Sequence, residues 1–134
     1  MAEVTWMIHG ITDMESIFPG KEFIGNFHTH GLNEYDNHRE LCIVLAFPGQ
    51  VAQRLLNDMG LRIAKKETVF TEGIRNDILA NEMDVEFISF DNDPTLYVIL
   101  PDENGKLPSD KDCLAPYKYQ YEYAKLIHDN EDYV

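Results

Sequence analysis

The sequence predicts a single α+β domain with an antiparallel or mixed sheet of about five strands, one well-defined amphipathic helix and a C-terminal helix. Three observations carry this reading. Residues 41–46 and 96–100 are apolar on both alternating faces, as strands covered on both sides are. Residues 48–59 open on a proline and repeat apolar positions at helical spacing. The length, 134 residues, allows one core, which a chain of this size can bury without disulfides or structural metal.

In chain order, residues 4–11 read as an edge strand. Residues 21–30 read as a further strand, with Phe23 and Phe27 on one face and Asn26, His28 and His30 on the other. After the central strand at 41–46, Pro48 suits the first turn of a helix, and Val51, Leu55, Leu56 and Met59 form its apolar stripe. Gly60 is placed as the left-handed residue that ends it, with Leu61 folding back on Leu56. Residues 71–82 are assigned a second helix. Residues 84–90 form a weaker strand, joined to 96–100 by Asp91-Asn92-Asp93-Pro94, a short polar turn that implies an antiparallel hairpin. Near the C-terminus Tyr117, Tyr119, Tyr121 and Tyr123 alternate like a strand. Tyr119, Tyr123, Leu126 and Ile127 also share a helical face, and helix is the preferred assignment.

Composition narrows the function classes. Apolar residues at 44% and charged residues at 26% exclude a disordered or coiled-coil chain. Against 11 lysines and arginines stand 24 acidic residues, a net charge of −13 spread evenly along the chain. Nucleic acid and anionic membranes need cationic surface, so neither is an expected partner. The charge would instead steer the chain towards a basic protein. One local exception, Arg54, Arg62, Lys65 and Lys66 around the single acid Asp58, is either a solvated helix end or a small anion-facing patch. The N-terminus has no basic region followed by an apolar run, and the longest apolar stretch falls far below the roughly 20 residues of a membrane helix. Cys42 lies in an apolar strand and Cys113 in a polar loop, so two reduced thiols in a cytoplasmic protein are expected.

The sharpest chemical feature is His28-Thr29-His30, followed by Glu34 and His38. On a strand the two histidines point to one side about 6–7 Å apart, a spacing that lets two imidazoles share a metal. His38 or Glu34 could add a third ligand and leave one position open for water. The pair fits a fragment of two metalloenzyme patterns and completes neither. The cupin pattern lacks its second histidine motif. The pattern of proteases that remove ubiquitin-like tags has Gly31 in place of its proline and lacks its serine. No serine sits in a glycine-flanked elbow, and no glycine-rich loop opens a helix. The acids Asp102, Glu103, Asp110 and Asp112 do not alternate as calcium ligands do, and no glutamate closes that loop. No cofactor is therefore predicted, and a divalent metal is the one left open. A small acidic binding module, of inhibitor or immunity type, is the preferred class. A metal-dependent hydrolase or oxygenase built on His28 and His30 is the alternative.

Four blocks taken together carry a family likeness. They are residues 27–32 (Phe-His-Thr-His-Gly-Leu), the acidic-apolar strand 40–45, the helix with Leu55-Leu56-Asn57, and Leu100-Pro101-Asp102 leading through Asn104-Gly105-Lys106-Leu107-Pro108 to Cys113 and Gln120. The chain resembles a bacterial family of unknown function, numbered 4262, over residues 23–120. The resemblance implies a cytosolic bacterial protein and supplies no activity. It places Thr29, Gly31, Leu32, Asn57 and Asp102 in the shared pattern, with Gly31 as a positive-φ turn and Asn57 as a hydrogen-bonding residue near the helix end. Many relatives carry a tyrosine and a small apolar residue at the places of His28 and His30, which weighs against a family-wide catalytic metal. The retained loop 101–113 is expected to be ordered and to cover the sheet near the Thr29–Gly31 turn.

Overall fold

The computed structural model describes residues 6–11, 18–21, 23–46, 49–91 and 93–130. It is an α+β fold whose mixed sheet has six strands rather than five, in the order β1-β2-β3-β6-β5-β4. The strands are β1 (Met7–Ile11), β2 (Ile24–His30), β3 (Glu40–Leu45), β4 (Gly73–Arg75), β5 (Val85–Ile88) and β6 (Thr95–Ile99). All neighbours are antiparallel except β3 and β6, the two runs predicted to be central, which lie parallel in the middle. Residues 4 and 5 of the expected first strand and Pro48 lie outside the described residues.

Parallel neighbours require a crossover, and helix α2 (Gly49–Ala64) lies on it between β3 and β6. Ala52, Leu56, Met59 and Ile63 pack on Phe27, Leu41, Ile43, Leu96 and Val98. On the other face Cys42, Val44, Tyr97 and Ile99 meet Tyr123, Ala124 and Ile127 of helix α3 (Gln120–Asp129). Both faces of β3 and β6 are thus buried, which explains their unbroken apolar runs. The C-terminal segment is a helix, preceded by a single 3-10 turn at Tyr117–Tyr119. Tyr119 is exposed, and Gln120 takes its place on the buried face. Gln120 accepts from the backbone N–H of Leu100 at 2.8 Å and donates to its carbonyl at 2.6 Å, closing the end of β6.

Several expectations are corrected. The buried stripe of α2 is rotated from the one predicted: Val51 is 46% exposed and Leu55 half-buried, while Ala52 and Ile63 are buried. Gly60 does not end the helix. It is buried mid-helix where Trp6 crosses, and a Cβ there would sit 2.6 Å from the indole ring. The stop comes six residues later, where Lys66 takes φ +60°. There Glu67 N–H bonds the Arg62 carbonyl and Lys66 N–H that of Ile63, both at 2.9 Å, the bond pattern of a Schellman cap. Residues 71–82 do not form an α-helix. Gly73, at φ +131°, opens β4 instead, and only a 3-10 turn (Ala80–Glu82) follows. Within the basic cluster, Arg62 pairs with Asp58 and Asp77.

Leu56 is fully buried between α2 and the sheet. Leu56→Ala is expected to cost about 2–5 kcal/mol in urea unfolding, whereas Val51→Ala should stay within about 0.5 kcal/mol. Equal losses at both positions would place the stripe wrongly.

Candidate functional site

Strand alternation sends Asn26 and His28 of β2 to the same face as Cys42 of β3 and Tyr97 of β6. The register aligns His9, His28, Cys42 and Tyr97 across four neighbouring strands. At this end of the sheet the chain turns from β2 into β3, and Glu40 organises the turn. Its carboxylate accepts from the Thr29 hydroxyl at 2.8 Å and from the backbone N–H groups of Gly31, Leu32 and Asn33 at 3.1, 3.2 and 3.1 Å. These N–H groups lead into the short helix α1 (Leu32–Asp36), whose N-cap residue, Gly31, has no side chain to cap it, so the Glu40 carboxylate takes that place. Thr29 also accepts from the Leu41 N–H at 3.0 Å, and Gly31 supplies φ +121°. Thr29, Gly31 and Leu32 are therefore the receptor for one carboxylate.

His28 is held from behind. Its Nδ1 lies 2.8 Å from Asn26 Oδ1, which also accepts from the Cys42 thiol at 3.2 Å. Asn26 and Cys42 are both buried. With Nδ1 donating to the amide oxygen, His28 presents the lone pair of Nε2, 3.0 Å from His30 Nε2. Burial, then the neighbouring His30 and His9, push the His28 pKa down to about 4, against a smaller upward pull from Glu40. His9, directly opposite on β1, completes a trio: one ligand atom from each of His9, His28 and His30 lies within 4.8 Å of the others. The ring centroids are 4.3 Å apart for His9–His30 and 5.6 Å for His9–His28.

His28 and His30 form one wall of a cavity of about 250 Å³. Glu40, Asp93, Tyr97 and Ile127 line it further. Asp93 accepts from the Thr95 N–H at 2.8 Å and the Tyr97 hydroxyl at 3.1 Å, and lies 2.8 Å from Nδ1 of His128 on α3. Burial pushes the Cys42 thiol well up, so it stays protonated and supplies no nucleophile.

The other sequence candidates sit elsewhere. His38 is buried and both ring nitrogens are engaged: Nδ1 lies 2.8 Å from the Arg39 carbonyl, and Nε2 accepts from the Phe70 N–H at 2.9 Å. It is a structural residue rather than a third ligand. Glu34 is exposed on α1 and outside the trio. Asn57 accepts from the Trp6 indole at 3.0 Å, fixing Trp6 on α2. Asp102 is buried, and its carboxyl is held below the usual range: burial acts to raise it, and the N–H groups of Lys106, Leu114 and Asn104 outweigh that. It orders loop 101–113 as expected, but the loop leaves the far end of β6, opposite the Thr29–Gly31 turn, and none of its residues lines the cavity. The residue that sequence reasoning missed is His9. Its only signal was a histidine in an edge strand, whose register to β2 is set by pairing.

A family model described as a domain of unknown function, DUF4262, matches residues 2–97. It starts ahead of the blocks noted in the sequence and ends before Asp102, Cys113 and Gln120. No curated protein and no solved structure matches the chain.

Two outcomes test the site. Glu40→Gln turns an amide towards N–H donors and should cost about 1–3 kcal/mol in urea unfolding, with Glu34→Gln neutral. A neutral Glu40→Gln would remove the carboxylate's role. For His28 the unfolded chain binds a proton below pH 6.5 and the folded chain only near pH 4, so stability falls on acidification between these values. Unfolding in chelator should show this slope, and His28→Gln should flatten it.

Proposed function

Because the chain belongs to the DUF4262 family, which is defined without an activity, its role is read from its own cavity, and we propose that it is a binding module that receives a cationic group of a basic protein partner. The observation that carries this is the cavity wall. It includes the carboxylates of Glu40 and Asp93 and, among the described residues, no lysine or arginine. A positive side chain entering there meets fixed negative charge in a partly dry setting, where an ion pair is worth more than on open surface. The net charge of −13 extends the same preference over the whole molecule and favours rapid encounter with a basic surface. An inhibitor or immunity module facing a basic effector is a concrete form of this reading. Two buried free thiols support a reducing compartment such as the cytoplasm as its setting.

Calorimetric titration with lysine- and arginine-rich peptides at two salt concentrations tests the proposal. Binding should weaken steeply with salt. Asp93→Asn should weaken it about fivefold, equivalent to about 1 kcal/mol, in protein confirmed folded by circular dichroism. Because the buried carboxylate also accepts from Thr95 and Tyr97, the variant should melt at a lower temperature. Absence of binding at low salt, or an affinity indifferent to Asp93→Asn, would overturn it.

A further inference from the structure

The three histidines are placed by two separate devices. Sheet register sets His9 against His28, and the two-residue spacing on β2 puts His30 beside it. Buried Asn26 then fixes the ring of His28 so that Nε2 points away from the core. A carbonyl oxygen on the far nitrogen is how metal-ligating histidines are generally oriented, and it raises the basicity of the ligating nitrogen. The trio has no such need as a folding device, because His9 and His30 are both exposed.

We propose that His9, His28 and His30 form a binding site for a zinc-class divalent transition-metal ion at the mouth of the cavity. The site uses neither Asp93 nor the net charge. A bound dication would compete with a cationic group for the same cavity, so metal and peptide binding are distinguishable by titrating each in the absence of the other.

The distances suit it. With zinc–nitrogen bonds of about 2.0–2.1 Å, two ligands of a tetrahedral ion lie about 3.3 Å apart. His28 Nε2 and His30 Nε2 are 3.0 Å apart, close to that edge already. His9 closes from within 4.8 Å by rotation of an exposed side chain. In the metal-free chain one proton lies between the two Nε2 atoms. With His28 donating through Nδ1, that proton belongs to His30 Nε2. Binding moves it to His30 Nδ1, so both lone pairs meet the ion and both imidazoles stay neutral. Imidazole ligands suit zinc, copper, nickel and iron rather than calcium or magnesium. Three protein nitrogens leave one position for water or a ligand oxygen, and His28 and His30 line the cavity, so that position adjoins its interior.

Equilibrium dialysis of the full, untagged chain against Zn²⁺, with Co²⁺ as a spectroscopic stand-in, tests the site. One ion per chain is expected, with the intense visible bands of four-coordinate cobalt. His30→Gln and His9→Gln should each lower zinc affinity about 10–100-fold while leaving melting in chelator unchanged, since both residues are exposed. Asn26→Ala should lower it over a similar range, about 10–100-fold, through loss of the hold on His28. Glu34→Gln and His128→Gln should leave it unaltered. Fewer than one ion per chain at saturating zinc would overturn the proposal. So would a single ion whose affinity ignores both His9→Gln and His30→Gln.

Discussion

The Glu40 carboxylate is the interaction on which this end of the molecule depends. The return from β2 into β3 through α1 leaves the first N–H groups of that helix pointing at a common centre, and one anion there satisfies them together. Because Thr29 bonds both that carboxylate and the Leu41 backbone, the same group ties the last residues of β2 to the first of β3. The side chains that wall the cavity then follow from strand alternation. A one-residue slip at this turn would send His28 and His30 to the α2 face and turn Phe27 towards the cavity.

The second constraint is the pairing of two apolar strands side by side. With β3 and β6 parallel and buried on both faces, one helix must cover each side: α2 over the crossover and α3 over the opposite face. Helix α3 covers that face only in part. Ile127 lines the cavity and His128 holds Asp93, while the histidine end of β2 stays clear of the apolar cluster. The cavity is the space left where the apolar cluster stops and the polar ends of β2 and β3 begin. Its chemistry, imidazoles on one wall and a held carboxylate on the other, comes from strand ends that no helix covers.

Much of this was legible in the chain. Central strands announce themselves when both faces are apolar, and β3 and β6 did. The hairpin from β5 to β6 was legible from Asp91 to Pro94, because polar turn residues leave few ways to connect two strands. The face of β2 that carries Asn26, His28 and His30 followed from alternation alone. Reading failed where one residue type serves two physical ends. Gly60 has the look of a helix stop, yet its missing Cβ makes room for Trp6, far away in sequence. Lys66 ends the helix in a conformation that its side chain does not advertise.

The same division governs the candidate site. Local sequence determined the His28-Thr29-His30 pair, its common face and the acidic charge, because these depend on strand alternation and composition. Tertiary structure decided the third histidine and removed His38 from the set, because cross-strand register and backbone hydrogen bonds are long-range. His9 and His28 are opposite each other only once β1 and β2 are paired. His38 is spent on Phe70 only once the segment after α2 folds back beside it.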